Sequence, residues 1–471
     1  MLAHTTASLG AMDPVPKGVD LGGWLVLEDW FYGKNGSKST SAFHVSTPTS
    51  QGAVGWSLNI DPAGRGFLFS SEVDLIAKSS TPVASLHHHR DTYFNVADEL
   101  EAIASYGIKY LRLPITWCFN WRDEPLSYLG TFTNVTLPPR LGEELVDDPF
   151  QGHSCGEMGD TLCRWLAIPE SRVLDILVRS ARLGLKVLLD VHAFPGGASD
   201  GTYNGVWPLP FKFWDNNADT NFRTLIGGLI AWAEELATRN ATAFQGLYGI
   251  QPMNEPALGD MATRAERLST LTISLDLFRS SQLPTLGKRL MMNLFGLPDD
   301  ASRAWWLAQT TEAERAQWAV IDLHHYVAWP GTDWCSNSSA PLDELEARIT
   351  QDSDMWQFSA RDRLLLNGTT ALVAMSEFSG STHEDTRRSC STNNLQFGNE
   401  QKAQALVRHF VQLQVATSRA ADVLDFFWKW HLPFNSNFQT EWSLKHILAT
   451  SHEDAPLRVP PVQLKSRERT A

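Results

Sequence analysis

Five cysteines among 471 residues are too few to build a fold on disulfides, and the number is odd. Cys155 and Cys163 stand close enough to bridge within one loop, Cys335 and Cys390 fall in two later loops, and Cys118 is left over. Reduced, buried thiols suit all five equally well. Basic residues are also scarce beside acidic ones: 39 Lys and Arg face 53 Asp and Glu, for a net charge of −14 and a pI near 5.5. That balance argues against nucleic acid and anionic membranes as partners, and leaves uncharged or basic ones open. No apolar run approaches the roughly 20 residues of a membrane-spanning helix, so no membrane anchor is expected. The opening stretch MLAHTTASLGAMDP has neither a basic segment nor an apolar one, so no signal peptide is legible. Neither a phosphate loop nor a dinucleotide fingerprint opens a helix, since GGLIAWAEE lies inside a helical stretch. Nothing calls for a cofactor.

What is present describes a globular protein with a sizeable core: 43% hydrophobic and 20% charged residues. The length would allow two domains, but a single α/β barrel with insertions also reaches it. Eighteen tryptophans is a high count. Flat aromatic platforms suit sugar rings, although at least half of these are assigned to the core. Five N-x-S/T sequons, at Asn35, Asn134, Asn240, Asn337 and Asn367, favour secretion slightly.

Eight apolar runs read as strands: 18–27, 108–115, 185–192, 247–253, 288–294, 318–326, 370–376 and 422–430. Amphipathic stretches lie between them. NVADELEAIASYG places Val96, Leu100, Ile103 and Ala104 on one face and ends at Gly107, and a second helix is bounded by Pro169 and Gly184. Alternating strands and helices imply a parallel sheet, and eight repeats imply a closed (β/α)8 TIM barrel. The expected organisation is an N-terminal extension (1–17), one barrel domain (18–450) and a polar tail (451–471) without fixed structure. Two long loop insertions, 33–90 and 119–168, emerge on the barrel's catalytic face and are expected to wall in a cleft.

Two of the strands end on glutamates. YGIQPMNEP delivers Glu255 beside Asn254, and ALVAMSEFS delivers Glu377. A carboxylate at the end of a buried strand is costly unless it faces a polar cleft. A lone one would be read as a helix cap, but two aimed into one site are what retaining glycoside hydrolysis requires. Glu28, Arg112, His192, Tyr326 and Trp428 fall at the same strand ends as the two glutamates. Each has a structural alternative: Arg112 pairing with a buried carboxylate, His192 and His324 as core histidines, and one of Trp428 and Trp430 as core because strand residues alternate sides. The run His87–His89 suggests a metal. Adjacent residues in an extended loop do not converge, however, so it is assigned to loop packing, and His324–His325 is likewise given no metal.

Taken together, GVDLGGWLVLEDW, LRLPI, DVHAFPGG, NEP, LHHY, SEF and FFWKW resemble glycoside hydrolase family 5, and more narrowly its fungal-type exo-β-1,3-glucanase branch, over about residues 18–445. The resemblance implies that Glu255 is the acid/base and Glu377 the nucleophile. It implies that Arg112 keeps Glu377 ionised, that Tyr326 hydrogen-bonds it, and that Asn254 binds the sugar 2-hydroxyl. His192 and His324 would line the site, Trp428 would floor it, and Glu28 would bind hydroxyls of the terminal sugar. No metal or cofactor is implied. Retention would set the two carboxyls about 5–5.5 Å apart. The chain departs from the branch in its sugar-recognition loops, reading SDGTYNGVW around Tyr203 and placing His431 where the branch has lysine.

The expectation is therefore a secreted, monomeric retaining hydrolase of β-glucosidic bonds, acting from the end of β-1,3-glucan. An endo-β-glucanase (1,4 or 1,6), a glucosyl-lipid hydrolase and an inactive carbohydrate-binding barrel are the alternatives.

Overall fold

The computed structural model describes residues 14–28, 71–79, 81–120, 145–155, 161–207, 209–294, 300–327, 371–382, 400–432 and 439–450. Eight strands close into a barrel: β1 (Gly18–Asp20), β2 (Tyr110–Thr116), β3 (Lys186–Ala193), β4 (Leu247–Gln251), β5 (Arg289–Asn293), β6 (Ala319–Val327), β7 (Val373–Thr382) and β8 (Val423–Phe427). All neighbours pair in parallel and in sequence order, and β1 closes the ring between β8 and β2. The (β/α)8 expectation holds.

Among the described residues, helices run between successive strands up to β6 and again between β7 and β8, among them Val96–Ser105, Glu170–Arg182, Ala218–Arg239, Met261–Ser280 and Glu400–Ala420. Their sequence logic is simple. In Glu170–Arg182 the buried residues Val173, Ile176, Leu177 and Ser180 recur at helical spacing. Pro169 precedes the first turn, and Gly184, at φ 73°, takes the left-handed conformation that ends the helix.

Two readings need correction. The first strand spans only 18–20, because the chain turns at Gly22–Gly23 and the apolar residues up to Leu27 are buried without pairing into the barrel. His87–His89 lie in a helix, Pro82–Thr92, and not in an extended loop. Pro82 occupies its first turn, and the three polar histidines hide the apolar spacing that would have announced it. Residues 33–70, 80, 121–144 and 156–160 of the insertions are outside the described residues, as are 1–13, 29–32, 451–471, Cys335, Cys390 and every sequon except that of Asn240. The described part of the second insertion holds two small strand pairs and a Cys155–Cys163 disulfide, while Cys118 is free and buried.

The barrel interior is layered. Leu188, Met291, Val320, Ala374 and Phe426, from five strands, pack together as a cluster separate from the main core. Only inward-facing residues of different strands can meet this way, so they plug the barrel. Since alternate residues share a face, the positions two further along also point inward. They are Asp190, Asn293, Asp322, Ser376 and Trp428, with Asp20 two residues after Gly18. An apolar plug is therefore capped by a polar layer, and the site stands on it.

Candidate active site

Arg112 organises the polar layer. It lies inside β2, paired in register with Asp20 of β1, and not at the strand's end as the sequence suggested. Its guanidinium is fully buried and uses all its nitrogens. Nε donates to Gln251 Oε1 at 2.6 Å, Nη1 to Glu377 Oε1 at 2.6 Å and to Asp20 Oδ1 at 3.1 Å, and Nη2 to Asn254 Oδ1 at 2.6 Å. Asp190 Oδ2 lies 3.0 Å from Nη2. Burial disfavours the charge, but the Asp190, Glu377 and Asp20 carboxylates outweigh it and hold the guanidinium pKa above its ordinary value.

Glu377 lies in β7 where pairing with β6 and β8 is irregular, and this offset lets it follow inward-facing Ser376 yet still reach the site. Besides Arg112, its carboxylate accepts a 2.7 Å bond from the Tyr326 hydroxyl and lies 3.3 Å from His324 Nδ1. Burial, followed by the Glu377 and Glu255 charges, keeps the Tyr326 phenol well above its usual pKa, so it stays a neutral donor.

Glu255 follows β4 by four residues and takes a left-handed backbone conformation at φ 36°, unusual for a residue with a side chain. Its N–H donates to Asn293 Oδ1 at 3.1 Å, and Ser199 Oγ donates to its carbonyl. Strain of this kind persists where surrounding bonds over-determine it, and it clusters at functional sites. The side chain meets His324 Nδ1 at 2.6 Å. One oxygen of Glu255, one of Glu377 and a ring nitrogen of His324 all lie within 4.8 Å of one another.

His324 stands between the two glutamates. Burial opposes its charge, but Glu377, Asp322 and Glu255 together raise its pKa to about 10, so it is an imidazolium near neutral pH. In that form the ring offers no lone pair, so a metal would first have to displace a proton from it.

The remaining expected residues lie beside this group. His192 Nδ1 bonds Asp190 Oδ2 at 2.6 Å, and the ring lies parallel to Trp428, 5.6 Å between centroids. Glu28 Oε1 is 3.7 Å from His192 Nε2. Gly22 is small of necessity, as a Cβ there would sit 2.4 Å from the Trp428 ring. Trp430 is the core member of its pair, with Nε1 donating to Glu99. All nine expected residues are thus gathered at one mouth of the barrel.

Sequence reasoning missed the layer beneath: Asp20, Asp190, Gln251, Asn293, Asp322 and Ser376. It noted Tyr203 only as a changed loop residue. The Tyr203 hydroxyl bonds the Glu255 carboxylate, and its ring meets His192 edge-on at 6.2 Å. The missed signal was spacing by two, which sets Asp190 with His192, and Asp322 with His324, on one strand face.

No family model and no curated protein matches this chain. Solved structures do. A rutinosidase from Aspergillus niger aligns with 94% of the chain and 98% of its own at TM-score 0.55 and 14% identity. The protein AoRut aligns over 94% and 97%, at 0.51 and 15%. A family 5 glycoside hydrolase from Prevotella bryantii B14 covers 94% and 96%, with a TM-score of 0.44 and 13% identity. The likeness is one of fold. Glycoside hydrolases of known structure share this barrel.

Proposed function

We propose that this protein is a retaining glycoside hydrolase in which Glu377 is the nucleophile and Glu255 the acid/base. The close approach of two carboxylates in different surroundings carries the reading. One oxygen of each lies within 4.8 Å of one of the other, an approach that suits the short carboxyl separation of retaining enzymes, roughly 5–5.5 Å.

The surroundings divide the roles. Glu377 accepts hydrogen bonds from Arg112 and Tyr326, donors that hold its carboxylate in place for attack on the anomeric carbon. Glu255 is paired with protonated His324 and sits where carboxylates (Glu255, Glu377, Asp322, Asp190 and Asp20) outnumber the two cations, Arg112 and His324. These carboxylates keep the extra proton on His324, whose Nδ1 meets Glu255 and can pass that proton through it to the leaving oxygen. In the first step Glu377 bonds to the anomeric carbon as the glycosidic C–O bond breaks and the proton passes from Glu255. In the second, water replaces Glu377 and returns a proton to Glu255. Asn254, oriented by Arg112, is placed to hold the sugar 2-hydroxyl, and Trp428 to face the ring.

For substrate, the reading is a β-glucoside, with β-1,3-glucan attacked from its non-reducing end, supported by the GVDLGGWLVLEDW and FFWKW segments. Secretion is supported by the Cys155–Cys163 disulfide, a bond that persists in oxidising compartments.

The test is early-time proton NMR of the products from laminarin, with an aryl β-glucoside and a rutinoside alongside. Glucose released as the β-anomer is expected, and Glu377→Ala should lower turnover by about 10⁴-fold without loss of fold. First-formed α-anomer would sink the retaining mechanism. A ladder of oligosaccharides would end the exo reading alone, and cleavage of only the rutinoside would move the substrate toward that of the Aspergillus niger neighbour.

A further inference from the structure

A hydrogen-bonded chain of buried residues runs under the two glutamates. Asp322 is fully buried in β6, and every bond it receives comes from a donor. Gln251 Nε2 reaches Oδ2 at 2.9 Å, Asn293 Nδ2 at 2.8 Å and Ser376 Oγ at 2.6 Å, while the Ser376 N–H reaches Oδ1 at 2.8 Å. Ser376 has spent its only hydroxyl proton on Asp322. Its oxygen can therefore only accept from His324 Nε2, 3.0 Å away. With Nε2–H pointing at Ser376, His324 must also carry a proton on Nδ1 to bond the Glu255 carboxylate. With Glu255 ionised, these bond directions place a proton on each ring nitrogen.

We propose that Asp322 and Ser376 are positioning residues that keep His324 an imidazolium, and through it keep the acid Glu255 supplied with a proton. The inference rests on the reading of Glu255 as the acid. Gln251 extends the chain, since its carbonyl accepts from Arg112 Nε and its amide donates to Asp322, so its orientation is locked from both sides. The groups holding the nucleophile and those holding the acid are thereby joined through one amide. The charges facing His324 are Glu255 from the end of β4, Glu377 from β7 and Asp322 from its own strand, with Arg112 and Asp20 behind Glu377. Tyr203 and Tyr326 are the neutral phenols that bond the two glutamates.

Ser376→Ala removes the hydroxyl without adding volume or charge. Asp322→Asn, of nearly the same shape, is the second variant should the first fail to fold. The measurement pairs nitrogen-15 NMR titration of the labelled His324 ring, in the unliganded protein, with the pH profile of kcat/KM on p-nitrophenyl β-glucoside. In wild type, His324 should stay protonated through neutral pH. Either variant should lower its midpoint by about one pH unit or more and carry the alkaline limb of the profile down with it. KM should change less than kcat, because no substrate contact is removed. An unmoved midpoint would overturn the inference, and so would a moved midpoint with an unmoved alkaline limb. A wild type that cleaves no glycoside would instead defeat the assignment of Glu255. The ring titration would still decide whether Asp322 and Ser376 hold the imidazolium.

Discussion

Arg112 shows best how one side chain can be both structural and chemical. Its fork meets Glu377, Asn254, Gln251 and Asp20 together, which a lysine cannot do with a single ammonium. Arg112→Lys should therefore lower stability by about 2 kcal/mol or more, read as a urea midpoint shift, because buried carboxylates lose partners. The same change should lower kcat/KM by about 10²-fold, as the ionised nucleophile loses a donor and Asn254 its anchor. A wild-type urea midpoint would contradict the account. At this scale the sequence was informative about residues standing after strand-like runs, since Glu255, Glu377 and Trp428 punctuate apolar stretches. It was mute about Gln251, Asn293 and Ser376, because a single polar residue inside a strand looks the same whether it meets solvent or a buried carboxylate.

Among the elements, all eight barrel strands were legible because parallel strands covered on both sides are continuous apolar runs. Their ends were less so. β7 runs on to Thr382, beyond the last residue of its apolar run, and the first strand stops early at a glycine turn. Among the described residues, the two helices before Val96 escaped notice because Glu72–Lys78 spans only seven residues and Pro82–Thr92 is polar. β4 carries a stricter demand that no propensity reveals. A Cβ on Gly249 would lie 2.1 Å from the Arg289 carbonyl oxygen of β5, an atom fixed in the sheet. Gly249→Ala should cost about 1–3 kcal/mol, since backbone and not a pliant side chain would have to move. It should also reduce kcat, because β4 leads directly into Asn254 and Glu255. Gly107 is the contrast: nothing lies within 4 Å of its Cβ position, but its φ of +86° strains any other residue. Comparing thermal midpoints and activities of the two alanine variants would separate them, as Gly107→Ala should spare kcat.

Over the whole molecule, several histidines are buried in neutral form. Burial pushes His89 and His325 down to about 3 and His431 to about 4. The unfolded chain takes up these protons near pH 6.5, so each such group removes stability as pH falls from about 6.5 toward its folded value. His89→Gln, which retains an N–H for the Gly23 carbonyl 3.0 Å away, should flatten that loss. Its stability relative to wild type should improve on acidification by up to about 1.4 kcal/mol per pH unit, measured by urea unfolding between pH 6.5 and 4. A constant difference across that range would show that His89 does not titrate on unfolding. Closure of the ring has another consequence. β1 has only three residues and rests between β2 and β8, and Lys17 bonds Asp425 across 408 positions. On the ribosome the first strand must wait for the eighth while more than four hundred residues emerge, and until then β7 presents an open edge. Any nascent chain released before Val423 leaves that edge exposed to pairing with its neighbours, so premature termination yields aggregates and not a smaller enzyme.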